Sequence, residues 1–198
     1  MTGGDGHADG GVAARVRRLE VLLEERGVVS GEELDVILDR VLSSASPANG
    51  ARIIARAWVD DAFRARLLAD ANAAIEELGL SMSSGPRPQL LRVVENTDTV
   101  HNLVVCTLCS CYPLSLLGPS PSWYKSTAYR ARAVRDPRGV LADFGLTLPE
   151  SVDIWVWDAS AETRFLVLPR RPAGTEGWSE EDLAGLVTRA GMIGTGAV

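Results

Sequence analysis

Three cysteines within six residues, Cys106-Thr107-Leu108-Cys109-Ser110-Cys111, are the only thiols in this chain of 198 residues. Their C-x-x-C-x-C spacing places one pair across a turn and the next across a single residue. Three soft donors can then face one ion, which is a ligand layout rather than a disulfide layout. The backbone amides of Ser110 and Cys111 would point inward between the sulfurs. If those amides also lose their protons, the site offers three sulfurs and two anionic nitrogens. Such a strongly donating set suits a trivalent, inert ion such as cobalt or iron better than Zn²⁺, and it leaves one coordination position open. A Lewis acid with an open position polarises a substrate or activates water. Thiolates beside it are open to oxidation to sulfinic and sulfenic acid.

Spacing alone leaves other chemistry in play. A structural zinc site needs a fourth ligand, and His101, five residues before Cys106, offers one. A Cys109–Cys111 redox pair is strained by its short separation. Three merely buried cysteines are the plainest alternative. The other histidine, His7, lies in the glycine-rich start of the chain, so a Ser-His-Asp triad would depend on His101 alone, without a nucleophile motif. No P-loop is present, and no GxGxxG follows a strand.

The elements that must position the cysteines read as two stretches of different character. Residues 1–11 hold five glycines and read as a flexible tail. Residues 12–80 read as a helical N-terminal arm. Val12, Val16, Leu19, Leu22 and Leu23 recur at helical spacing before Gly27. Ser30 and Glu33 form a capping box ahead of the stripe Leu34, Ile37, Leu38, Val41 and Leu42. Ser46-Pro47 opens a third helix, and Asp60 caps a fourth that carries Phe63, Leu67, Leu68, Ala71, Ile75 and Leu78 to Gly79. The arm's apolar stripes serve either as core or as a surface that wraps a partner.

Residues 81–198 read as an α+β metal-binding catalytic domain after a polar linker, Ser81 to Pro88. Leu90–Val94 and Leu103–Val105 read as strands joined through Asn96-Thr97-Asp98, with the cysteines directly after the second. Helices are expected from Trp123 to Val134 and from Asp136-Pro137 to Gly145. Val152–Trp157 and Arg164–Leu168 alternate in the manner of an antiparallel pair, and Ser179 caps a last short helix. Lys125, Arg130, Arg132, Arg135 and Arg138 form a basic stretch, either a solvated helix face or a dock for an acidic partner. The five tryptophans read as core or interface.

A net charge of -6 argues against nucleic acid as the main partner, and no apolar run is long enough for a membrane span. An odd number of cysteines without a secretory pattern fits a reducing, cytoplasmic compartment.

Residue order adds more than spacing does. Val105-Cys-Thr-Leu-Cys-Ser-Cys-Tyr112 is followed by Trp123-Tyr124-Lys125, Tyr129-Arg130-Ala131-Arg132 and Asp136-Pro137-Arg138-Gly139. Asn49-Gly50-Ala51-Arg52, Val94-Glu95-Asn96-Thr97, Ala161-Glu162-Thr163-Arg164 and Gly174-Thr175-Glu176-Gly177-Trp178 join them. Together they resemble the α subunit of nitrile hydratase over nearly the whole chain. Thr107 within the cysteine motif is similar to cobalt-type members, iron-type ones usually having serine there.

The resemblance implies an α+β fold with a helical N-terminal arm followed by a mixed α/β layered domain of the nitrile hydratase α-chain type. It implies that Cys106, Cys109 and Cys111 bind low-spin Co(III) through sulfur, with Ser110 and Cys111 adding amide nitrogens. Cys109 would be a sulfinic acid and Cys111 a sulfenic acid, and a nitrile would be hydrated to its amide. A β-type subunit, in one chain or two, would supply arginines to the oxidised sulfurs, because buried charge needs paired cations. A metal-loading accessory protein belongs to the same picture.

The chain departs from the family after the cysteines. The usual Tyr-Pro-Trp-Pro is here Tyr112-Pro113-Leu114-Ser115. Losing the indole at Leu114 frees volume and removes a rigid stacking wall beside Tyr112, and losing the second proline at Ser115 loosens the loop. The expected substrate is therefore a bulkier, more polar nitrile, of the heteroaromatic kind handled by toyocamycin-type nitrile hydratases. The related thiocyanate hydrolase metal subunit shares the cysteine motif, and a zinc-holding interaction subunit without catalysis is the reading from outside enzymology.

Overall fold

The computed structural model describes residues 6–82 and 89–198, without the side chains at 6–9, 40 and 41. The expected linker therefore falls mostly outside the described residues, as do the first five residues of the expected tail and the side chain of Val41.

The chain forms two compact units that divide between Ser43 and Ser44. The first consists of α1 (Gly6–Glu25) and α2 (Gly31–Ser44). They are joined by a turn at Gly27, whose φ of 63° suits a residue without a Cβ. Gly6, Gly10 and Gly11, expected in the tail, lie in α1. Glycine's low helix propensity makes this its weakest stretch. The capping box forms as expected: Ser30 Oγ accepts from Glu33 N at 3.1 Å, and the Glu33 carboxylate accepts from Ser30 N at 3.1 Å. Val16, Leu19, Ile37, Leu38 and Leu42 are all exposed.

The second unit holds the rest. Ser46 caps α3 (Pro47–Val59), Asp60 caps α4 (Asp61–Ala69), and Asp70 caps α5 (Ala71–Glu76), each side chain accepting from a first-turn N–H. The single fourth helix expected from the sequence is thus two, because Asp70 ends one and caps the next. These three helices, placed in the arm by their sequence, bury Ile53, Ile54, Phe63, Leu67 and Ile75 in one core with the strands. The arm as a separate unit stops at Ser43.

The expected antiparallel pair is corrected. β1 (Leu90–Glu95) pairs in parallel with β4 (Thr163–Leu168), and β2 (Val100–Val105) pairs in parallel with β3 (Asp153–Asp158). Period-two alternation signals a strand but not its partner. The better signal is burial: β4 is buried from Arg164 onward and β2 from His101 onward, as in strands covered on both faces. Between β2 and β3 run α6 (Leu114–Leu117), α7 (Ser122–Lys125), α8 (Thr127–Arg135) and α9 (Pro137–Asp143). The expected helix from Trp123 to Val134 breaks at Ser126, whose side chain caps α8. Two helices close the chain: α10 (Glu180–Leu186), capped by Ser179 as expected, and α11 (Arg189–Ile193), which sequence reasoning misses. Gly194 ends α11 at φ 89°, and a Cβ there would collide with the Asn102 carbonyl on β2.

Candidate metal centre

The cysteine turn starts where β2 ends. Val105 lies opposite Asp158 in the parallel register, so the last residue of β3 sits beside the first residues of the turn. The Asp158 carboxylate accepts from Thr107 N at 2.9 Å and from Thr107 Oγ1 at 2.5 Å. The outgoing carbonyls are held from α7 and α8. Tyr124 donates to Cys111 O at 3.0 Å, and Arg130 donates to Cys109 O at 3.2 Å. Tyr129 donates to Val104 O at 2.6 Å, fixing the strand just before the turn. Tyr124 and Tyr129 are themselves wedged in a ring cluster with Tyr112, Trp123 and Phe144.

That framework gathers the sulfurs. Cys106 Sγ is 3.3 Å from Cys109 Sγ, which is 3.1 Å from Cys111 Sγ, and all three lie within 4.8 Å of one another. Cys106 is buried (1% exposed), Cys111 is half-buried and Cys109 is exposed. Leu108, at the tip of the turn, is 90% exposed. Hydrogen bonding by the main-chain N–H groups of Ser110 and Cys111 favours the thiolate of Cys109.

Three thiols this close cannot all ionise without a cation among them. The first proton leaves readily from Cys109, whose thiol is brought down to about 7 by the Cys111 and Cys106 side chains and by the two amides. The next is held: burial and the hydrogen bond with Cys109 push Cys111 up to about 12. A multivalent ion placed among the sulfurs removes this conflict. The donor set therefore fits a thiophilic metal.

His101 does not join them. Its Nε2–H donates to Gly194 O at 2.7 Å at the end of α11, and Nδ1 accepts from Asn96 Nδ2 at 3.3 Å, so both ring nitrogens are engaged. Among the described residues the candidate metal group consists of the three cysteines alone. The fourth zinc ligand expected at His101 is thus not there.

A cavity of about 490 Å³ opens beside the sulfurs, within the usual range for small-molecule sites. Cys109, Ser110 and Cys111 line one part of it. Tyr112, Leu114 and Ser115 line another, together with Gln89, Pro119, Ser120, Lys125 and Arg164. Arg164 is only 9% exposed, and its charge acts to lower the Cys111 thiol. The basic stretch, by sequence either a solvated face or a dock, is largely spent on the chain itself. Arg132 pairs with Asp136 and Asp143, Arg138 donates to the carbonyls of Leu148, Pro149 and Val152, and Arg130 holds the cysteine turn.

This geometry belongs to a known architecture. The family model described as nitrile hydratase, alpha chain, matches residues 11–196. The chain belongs to the nitrile hydratase α-chain family.

The low-molecular-weight cobalt-containing nitrile hydratase subunit alpha of Rhodococcus rhodochrous is 54% identical over 183 residues, spanning 92% of this chain and 87% of that one. A double mutant of the Fe-type nitrile hydratase from Comamonas testosteroni Ni1 superposes with a TM-score of 0.87 at 45% identity, covering 94% of this chain and 89% of the other. The thiocyanate hydrolase subunit gamma of Thiobacillus thioparus is 43% identical, covering 90% of this chain and 75% of that subunit. The layered α+β fold expected of a nitrile hydratase α chain is the fold observed.

Sequence reasoning singles out the cysteines, Ser110 and the pocket residues but not the side chains that hold them. Asp158, Tyr124 and Arg130 stand 13 to 51 residues from their partners, and Arg164 lies on another strand. Parallel pairing of β2 with β3 is what puts Asp158 next to Thr107, and a reader who inferred that pairing would have found it.

Proposed function

We propose that this chain is the metal-bearing α subunit of a cobalt nitrile hydratase, converting R–C≡N and water to R–CO–NH₂ for a bulky or heteroaromatic nitrile. The observation that carries this is the set of three sulfurs within 4.8 Å at the edge of a cavity of about 490 Å³. Cys106, Cys109 and Cys111 would hold low-spin Co(III) through sulfur, with the nitrogens of Ser110 and Cys111 completing the set. Cobalt rather than iron is supported by Thr107 and by the cobalt-containing relative, although an iron-type structure shares the fold. When bound, the ion supplies Lewis acidity toward the nitrile.

The chain's own residues do the remaining work. Asp158, Arg130 and Tyr124 fix the turn, so the sulfurs are preorganised. Cys109 as sulfinate and Cys111 as sulfenate put oxygens at the cavity edge, where the Cys111 oxygen polarises the attacking water. Arg164 offsets part of the negative charge so formed. Leu114 in place of an indole leaves room for a substituent larger than a vinyl group.

A β-type subunit, in one or two chains, completes the site. The apolar residues exposed on α1 and α2 are suited to cover by such a partner. A metal-loading accessory protein and a cytoplasmic setting, which keeps the thiols reduced until the metal arrives, belong to the same reading. No described helix is long and apolar enough to cross a membrane.

A second reading, the metal subunit of a thiocyanate hydrolase, has the 43% identity in its favour. A cavity of this size exceeds what a small linear anion requires. The complex co-expressed with its partner subunit, assayed with benzonitrile, acrylonitrile and thiocyanate, separates the two. Amide formation, abolished by alanine at all three cysteines, supports the proposal; turnover of thiocyanate alone overturns it.

A further inference from the structure

One wall of the cavity is a short stretch, residues 114–120, that supplies Leu114, Ser115, Pro119 and Ser120 to the lining. It has little structure of its own. α6 is four residues long, and Pro113 before it offers no side-chain cap. One further helical turn would give the Ser115 carbonyl the N–H of residue 119, but that residue is proline. The carbonyl is bonded instead by a side chain outside the cavity, Asn49 Nδ2, at 2.9 Å. The same amide nitrogen donates its second hydrogen to Ser44 O, also at 2.9 Å, where the chain passes from α2 into α3.

Everything around this amide favours a fixed spacing. Asn49 sits in the first turn of α3, behind Pro47. At its neighbour Gly50 a Cβ would come to 3.0 Å from Leu116 O, so the two backbones touch there. Gly118, at φ 67°, turns the wall back so closely that a Cβ would meet Pro47 Cδ at 3.0 Å. The far end is tied separately: Arg189, in the first turn of α11, donates through Nη1 to Pro119 O at 3.1 Å. Neither Asn49 nor Arg189 lines the cavity.

We propose that Asn49 and Arg189 are positioning residues for substrate selection, pinning the two ends of the 114–120 wall and so setting the width available to the substituent of the nitrile. The inference rests on the nitrile-hydrating reading above. A wall freed at one end must be ordered again by each substrate that leans on it. Large nitriles therefore suffer and small ones do not. The cysteine turn, held by other residues, keeps its metal.

The test uses the complex co-expressed with its partner subunit. Asn49→Asp keeps the shape and replaces the donor with an oxygen facing two carbonyls. Arg189→Met removes the second tie, and Arg189→Lys restores a donor to it. Losing one net hydrogen bond of about 1 kcal/mol corresponds to roughly a fivefold change. KM for benzonitrile should rise by about that factor in Asn49→Asp and Arg189→Met. Bound cobalt, kcat and the KM for acrylonitrile should stay within about twofold, and Arg189→Lys should return most of the loss. Equal loss on both nitriles, a fall in kcat tracking lost cobalt, or no change at all overturns the inference. If Asn49→Asp does not fold, the Arg189 pair decides. A parent complex loaded with cobalt that hydrates neither nitrile defeats the functional reading and this inference with it. A parent that hydrates both, with unshifted variants, defeats this inference alone.

Discussion

Removing the Asp158 carboxylate should loosen the turn that carries the cysteines without touching a sulfur. In the folded chain that carboxylate accepts two hydrogen bonds from Thr107, at 2.9 Å from its N–H and 2.5 Å from its hydroxyl. Bonds to a charged acceptor contribute about 1.5–3 kcal/mol each when sheltered. Asp158 is exposed, so solvent screening leaves about 1 kcal/mol for each, or about 2 kcal/mol together. A turn that must be ordered at that cost before binding has its metal affinity reduced by about 30-fold. This falls inside the roughly 10- to 100-fold loss usual for side chains that orient metal ligands. Competition for Co²⁺ against a calibrated chelator measures it directly, comparing the parent chain with Asp158→Ala and Asp158→Asn. Asparagine keeps an oxygen for the Thr107 N–H and can donate to its hydroxyl, so it should lose no more than about fivefold. Parent-like affinity in Asp158→Ala, or equal damage from alanine and asparagine, would refute the reasoning.

Three further outcomes follow from the same geometry. Tyr124→Phe keeps the ring within the aromatic cluster but removes the donor to Cys111 O, and should weaken cobalt binding by about fivefold in the same competition. Leu114→Trp restores an indole to the cavity wall. It should raise KM for benzonitrile more than about tenfold, or about 1.4 kcal/mol, while leaving acrylonitrile turnover nearly unchanged. His101 is held neutral by burial, with its pKa below the ordinary 6.5, so the unfolded chain takes up its proton first as the solution is acidified. Its contribution is full above pH 6.5 and declines as the pH falls toward the folded value. The slope of that decline is at most about 1.4 kcal/mol per pH unit. Urea denaturation from about pH 7 to about pH 5 should show a smaller acid-induced loss in His101→Gln than in the parent.

What is decided locally can be read from the sequence. Ser30 with Glu33, Ser46 with Pro47, Asp60 and Ser179 each announce a helix start within a few residues, and each caps one. The cysteine spacing likewise contains its own turn, so the ligand set is legible in the motif itself. Strand pairing is not, because nothing in Val152–Trp157 or Arg164–Leu168 names a partner. The short link between them favours a hairpin, whereas the fold sends the two strands to different sheets. The same gap hides Asp158, which reaches Thr107 only through the β2–β3 register. His101 misleads for a related reason. Its distance from Cys106 is short along the chain, but on a strand its ring is directed by the packing of α11, and Gly194 claims it. The resemblance to the nitrile hydratase α chain carries the fold further than residue spacing does. The changed residues Leu114 and Ser115 identify the wall that varies but not Asn49 and Arg189, which hold it from outside.

In the proposed enzyme Cys106, Cys109 and Cys111 grip one cobalt ion, and two of them are oxidised beside it. Metal quantification combined with peptide mass spectrometry on the complex purified with its partner tests this most directly. The expected result is one cobalt per α chain, with two added oxygens on Cys109, one on Cys111 and none on Cys106. Zinc bound by three unmodified thiols, in a complex that nonetheless hydrates nitriles, would contradict it.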